Sequence, residues 1–278
     1  CSGLVGSEMC IRDRNQIFLL LGFGLLLVFL VKKLNTKKYY YEILFILTIT
    51  GLVISYSRSM WLGAVFMGFV FLISLISKKI RNIIKPNWAA FFLLPIISVI
   101  FGFGLWWGIA NVPVPKVDGD KMISLSDRFR IDEPAANARL RMLVPLWDSI
   151  QEQCLLGFGF GKQITYFTTD PRIVATTAGA SGEYKTFAFE WGYLDIMLKL
   201  GMIGLVLYLV FLLQFIVHII RFGLNEGKVF YFGLALALVG LMVVNITTPY
   251  LNHPLGIGFF ISVLLLSGLY ENREIKQA

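Results

Sequence analysis

Charge is scarce in this chain. Lys, Arg, Asp and Glu make up 15% of its 278 residues, against 57% hydrophobic residues and a mean hydropathy of +0.73. A soluble domain of this length has no core large enough to hide that much apolar surface, so the bilayer is the expected solvent. Six Trp, eleven Tyr and twenty-four Phe suit interfacial belts and lipid-facing packing. Histidine is almost missing: His218 and His253 are too few and too far apart to build a metal cluster. A nucleotide loop is missing too. The stretch from Leu155 to Lys162, with Gly157, Gly159 and Gly161, looks like one but has no Gly-Lys-Ser/Thr at the needed spacing, and it follows a predicted helix instead of a strand. It reads as a tight turn that re-aims the chain at the membrane. No cofactor and no metal are expected.

Cysteine is equally sparse. Two of the three cysteines fall in Cys1–Arg14, a segment that looks like translated sequencing-adapter read-through, without the apolar region or cleavage site of a signal peptide. We read residues 1–14 as non-native and residues 15–278 as a polytopic membrane domain, an N-terminally truncated fragment with further spans expected before Asn15. Cys154 alone then remains, which excludes an intrachain disulfide and a cysteine-based metal site.

What is present is apolar sequence in membrane-length runs. The expected fold is an all-α integral membrane protein with about seven transmembrane helices, at roughly 16–31, 41–57, 60–77, 88–108, 192–220, 228–247 and 254–270. The links alternate in charge. Lys32, Lys33, Lys37, Lys38, Lys78, Lys79, Arg81, Lys85, Arg221, Lys228, Arg273 and Lys276 share one side with Glu42, Glu226, Glu271 and Glu274. That side carries the whole net charge of +8. Cytoplasmic links collect Lys and Arg, so these links and the C-terminus are expected inside, with Arg58, the loop 109–190 and the 247–253 link outside. The basic residues are read as topology signals, and no nucleic-acid partner is expected.

The large loop holds the polar inventory. Asp118, Asp120 and Asp127 stand in an irregular approach, and Asp132 or Glu133 is placed to cap a helix with Pro134 at its first position. Leu140, Leu143, Val144, Trp147, Ile150 and Cys154 recur at helical spacing as one apolar stripe, suited to the membrane surface or to the underside of the loop. Pro145 is expected to kink or divide this helix near Val144. Arg141 falls on the polar side with Asp148 and Glu152, while Arg139 flanks the stripe, where a snorkelling role is the plain alternative to a functional one. Asp195 and Lys199 are spaced to pair. A charged pair seldom sits at mid-bilayer, so the membrane part of that helix is expected to begin near Leu200.

Three landmarks occur in a fixed order. Ser57–Arg58–Ser59–Met60–Trp61–Leu62 lies at an outer helix junction. Arg139 precedes Gly157 by eighteen residues. Leu194, Leu198 and Leu200 lead into Gly201–Met202–Ile203–Gly204–Leu205. Over about residues 50–215 this resembles the O-antigen ligase and O-antigen polymerase superfamily. The resemblance implies a metal-independent membrane glycosyltransferase. It would move a glycan from undecaprenyl pyrophosphate to a glycan, lipid or protein acceptor hydroxyl at the periplasmic face of the bacterial inner membrane. It matches Arg58 and Arg139 to the family's two arginines, which makes them candidates for binding the donor's pyrophosphate. The family's tryptophan four residues after the loop arginine is Leu143 here. The ligases' His-Asn pair is replaced by Glu190 and Trp191, which points to the polymerase-like branch or to an unassigned relative.

On that resemblance Glu190 is the candidate catalytic base, with a solvated carboxylate ahead of a helix as its plain alternative. Glu183 and Asp195 rank behind it, and His253 behind those. Arg58 has an interfacial anchor beside Trp61 as its plain reading. Lys162, Arg172 and Lys185 are available to phosphate or acidic sugars, with scattered loop cations of no specific role as the plain reading. The competing classes are a transporter or flippase of lipid-linked glycan, which would place ionisable groups or broken helices at the midplane, and a non-catalytic membrane scaffold.

Overall fold

The computed structural model describes residues 4–31, 38–55, 57–84, 86, 88–110, 134–167, 183–252 and 254–275. Asp118, Asp120, Asp127, the Asp132 or Glu133 cap, Arg172 and His253 therefore lie outside the described residues, as do Lys32, Lys33, Lys37, Lys85 and Lys276. The described chain is mostly helical: α1 (Leu4–Val31), α2 (Lys38–Ile54), α3 (Arg58–Ser74), α4 (Lys78–Ile84), α5 (Trp88–Ala110), α6 (Pro134–Glu152), α7 (Gly192–Glu226), α8 (Val229–Val244) and α9 (Pro254–Ile275). Each of the seven expected spans falls on one of these helices. Among the described residues, α7 is long and apolar enough to cross a membrane, and α3 with α4 qualifies as a pair bent by 108°. The other apolar stretches, such as Tyr40–Ile54 and Val229–Val244, run to 10–17 residues.

The chain forms two compact units. One comprises Cys1–Arg12, Val114–Phe211 and Ile246–Pro249, and the other comprises Asp13–Pro113, Leu212–Asn245 and Tyr250–Ala278. The second unit is built on small residues. Helix α8 is buried along most of its length. A Cβ on Gly63 of α3 would stand 2.8 Å from Val244 and 3.1 Å from the Gly240 carbonyl, and one on Gly233 would stand 2.7 Å from the Cα of Leu25 in α1. In the same way a Cβ on Gly102 of α5 would stand 3.3 Å from the Cα of Thr50 in α2. Helices in lipid gain nothing from hiding apolar surface from one another, so close backbone approach at glycine supplies the attraction. Gly240 lies against the Met67 side chain. Gly240→Leu is expected to cost about 1–3 kcal/mol by overpacking, read as a lower unfolding temperature of the purified protein in detergent.

The first unit departs from the all-α expectation. Strands β1 (Ile164–Phe167) and β2 (Glu183–Thr186) pair antiparallel, with Ile164 opposite Thr186 and Phe167 opposite Glu183. Ile164 and Tyr166 turn inward while Thr165 and Phe167 stay exposed, the period-two pattern of a half-buried strand. Four residues are too short a run to announce that pattern, and the partner strand lies sixteen residues downstream of Phe167. The core of this unit joins Met142, Leu146 and Ile150 of α6 to Ile164 and Tyr166, Phe189, and Met197 and Leu198 of α7.

Helix α6 bears on two expectations. Of a kink or a division at Pro145, the division does not occur, because the helix continues through Pro145 to Glu152. Its apolar residues also form two faces instead of one stripe. Met142, Leu146 and Ile150 enter the core, whereas Leu140, Val144 and Trp147 are exposed. On the helical wheel Met142, Leu146 and Ile150 adjoin Trp147, Leu140 and Val144 without a gap, so spacing alone gave one stripe where burial divides it.

Candidate active site

The tandem-glycine turn docks on a break in α7. Gly201 has φ 71° and ψ −174°, a conformation open essentially to glycine alone, and it interrupts the helix. A broken helix strands carbonyls on one side and amides on the other. Here each finds a partner in the segment that follows α6. The amides of Phe158 and Gly159 donate to the carbonyls of Leu198 (2.8 Å) and Lys199 (2.9 Å). The amides of Met202 and Ile203 donate to the carbonyls of Cys154 (2.7 Å) and Leu155 (3.4 Å). The crossing is so close that a Cβ on Gly157, itself at φ 69°, would stand 2.5 Å from the Gly201 nitrogen. The turn is thus one half of a backbone joint, and it sets where α6 lies relative to the start of α7.

That joint brings two predicted site residues together. The Nε of Arg139, near the start of α6, donates to Oε2 of Glu190, which stands just ahead of α7. Both side chains remain substantially exposed, at 42% and 51%. A guanidinium has five N–H groups. The contact uses Nε, and among the described residues the terminal nitrogens of Arg139 carry no assigned partner. Trp191 grips the same residue from the other end: its indole N–H donates to the Arg139 carbonyl at 3.2 Å, and its ring packs on the core cluster. Glu190 and Trp191, which stand where the resemblance expects the ligases' His-Asn pair, both touch Arg139. Sequence reasoning passed over Trp191 as a functional neighbour. The available signal was its adjacency to Glu190 at the substituted pair.

Arg58 belongs to the other unit, at the first position of α3, where it is exposed. Ser57 has an extended backbone and makes no side-chain capping bond. Its hydroxyl lies 3.1 Å from that of Ser59. Trp61 is not simply an interfacial anchor, because its indole N–H donates to the Leu52 carbonyl at 2.6 Å and ties α3 to the last turn of α2. A cation at a helix N-terminus adds to the positive end of the helix dipole and does not stabilise the helix. An approaching anion meets the dipole and the guanidinium together.

The remaining candidates are engaged elsewhere. Asp195 and Lys199 pair at 2.5 Å with both side chains largely buried, so Asp195 already has a structural partner beside the joint. Lys162 lies 3.6 Å from Glu152 and 3.8 Å above the centre of the Phe158 ring. Glu183 and Lys185 are exposed residues of β2. Among the described residues no group of three or more His, Cys, Asp or Glu is arranged to hold a metal.

Helical sequence of this apolarity, with an exposed Arg–Glu pair set beside a kinked membrane-length helix, defines a membrane protein with a polar surface site. The chain belongs to the O-antigen ligase family, whose description matches residues 43–209, a segment that contains Arg58, Arg139 and Glu190. Members are membrane proteins of glycan transfer, with ligase- or polymerase-type glycosyltransferase activity on lipid-linked glycans and their acceptors. No curated protein and no solved structure matches the chain.

Proposed function

We propose that this protein transfers a glycan from an undecaprenyl-pyrophosphate-linked donor to an acceptor hydroxyl at the periplasmic face of the bacterial inner membrane, in the manner of the polymerase-like branch. The contact between Arg139 and Glu190 carries this reading, because it couples an anion-binding group to a proton acceptor. In the transfer the acceptor oxygen bonds to the anomeric carbon as the bond from that carbon to the pyrophosphate oxygen breaks. The electron pair leaves with the pyrophosphate, and the hydroxyl proton passes to a base. Arg139 binds the pyrophosphate through its planar fork, which gives two hydrogen bonds without changing protonation. The phosphate oxygens compete with Glu190 for that fork. Donor binding therefore releases the carboxylate, which takes the acceptor's proton. Arg58 is separately proposed as a phosphate-binding group, on its place at the N-terminus of α3.

The proposed topology has seven spans, with 109–190 outside and the C-terminus in the cytoplasm. The one-sided distribution of Lys and Arg supports it. The broken α7 invites a transporter reading, since transporters bind substrate at unwound helices. Against that reading, the backbone groups freed at Gly201 are taken up by the segment after α6.

The test is to supply membranes containing the protein with a labelled polyprenyl-pyrophosphate glycan. Label appearing on an acceptor supports transfer, whereas intact donor moved across the bilayer would replace this reading with transport. Arg58→Ala is expected to lower transfer about 10²-fold or more with membrane insertion unchanged. Wild-type transfer in that variant would remove Arg58 from the site.

A further inference from the structure

Helix α6 and its turn carry a second apolar surface that the core does not use. Leu140, Val144 and Trp147 are 57%, 64% and 45% exposed, and Leu155, Leu156 and Phe160 are 67%, 77% and 70% exposed. At about 100° per residue the first three fall within a narrow sector of α6, and Leu155 stands in the turn that follows the helix. Arg141, Asp148 and Glu152 occupy a different sector, and Met142, Leu146 and Ile150 face the core. The helix is thus divided into buried, polar and exposed apolar sides.

We propose that the exposed apolar side is a lipid-facing surface, seated in the boundary between headgroups and acyl chains of one leaflet, with α6 lying along it. Continuity identifies the occupant. Ile203, Val206 and Leu207 on α7, the helix long and apolar enough to span a bilayer, are also exposed. The Leu155 carbonyl accepts from the Ile203 amide at 3.4 Å, so the turn enters the surface at the level where α7 does. Helices that lie in the interface bury such an apolar side by several ångströms and keep the charged side in water. Trp147 supplies the amphipathic ring favoured at that depth. The consequence is positional, because Arg139 and Glu190 would be held at headgroup level, where the diphosphate of a membrane lipid lies. The surface itself does not depend on the glycan-transfer reading.

The experiment uses the full chain with Cys1→Ser, Cys10→Ser and Cys154→Ala, carrying a single environment-sensitive fluorophore at Leu156→Cys or, separately, Val144→Cys. Glu152→Cys on the polar side serves as the control. In vesicles of phosphatidylethanolamine and phosphatidylglycerol, the labels at 156 and 144 are expected to be quenched at least twofold by lipids bearing a shallow spin label and little by aqueous iodide, with the reverse at 152. Iodide quenching at 156 and 144 would overturn the proposal. Protection from both quenchers would also overturn it, because another protein segment would then be the occupant. Glycan transfer is not part of the readout, so failure here and failure of the proposed activity are distinguishable.

Discussion

Alanine at Gly201 is expected to destroy the fold of the first unit, and alanine at Gly157 to do nearly the same. Each residue has positive φ, and each presses against backbone that cannot move aside. A Cβ on Gly201 would overlap the Leu155 carbonyl, and one on Gly157 would meet the Gly201 nitrogen at 2.5 Å and the Leu198 oxygen at 2.8 Å. The conformational strain alone is about 1–3 kcal/mol. Separating the two backbones would add the loss of the four hydrogen bonds between them, so a total above about 3 kcal/mol is expected. The neighbouring glycines form an internal control. Gly159 has φ 80° but open space around it, so Gly159→Ala should cost only about 1–2 kcal/mol. Gly161 has neither positive φ nor a close neighbour, and Gly161→Ala should be within about 0.5 kcal/mol of wild type. Thermal unfolding of the four purified variants in one detergent measures the order. Equal effects at 157 and 161 would show that the crossing of the two segments is not what holds the unit.

Arg139→Ala is expected to reduce glycan transfer about 10²–10³-fold while leaving the protein folded, because the side chain is 42% exposed and the helix survives alanine. Arg139→Lys should not restore the rate, since an ammonium lacks the planar fork. Glu190→Gln separates binding from proton transfer. It keeps a hydrogen-bonding oxygen near Arg139 but cannot take a proton at working pH. Donor binding should therefore persist or tighten while transfer falls. Transfer at the wild-type rate would remove Glu190 as the base. The double variant adds a second check: if phosphate must displace Glu190 from Arg139, the two substitutions will be strongly non-additive. Additive losses would mean that the two residues act apart.

Much of this was legible in one dimension. The helices follow from long apolar runs whose positions need no partner to be recognised. Arg58, Arg139 and Glu190 were singled out by the resemblance to a family pattern, and the family match covers all three. The rest lay in contacts between distant residues. The hairpin of Ile164–Phe167 with Glu183–Thr186 was hidden by the brevity of each strand. The two apolar faces of α6 were indistinguishable by spacing alone, because hydrophobicity does not say whether a side chain meets protein or solvent. Trp191 looked like a departure from a pattern until its indole was seen on the Arg139 carbonyl.

The sequence by itself determined that this is a helical chain suited to a bilayer, with a long polar stretch between apolar runs. Composition and charge are sums over residues and survive without coordinates. Only the tertiary structure decided that Gly157 and Gly201 are two halves of one joint, and that Arg139 and Glu190 face each other across fifty-one residues of chain. The reason is physical: a glycine with positive φ and a paired guanidinium each depend on what a remote segment places beside them, and no local pattern encodes that neighbour.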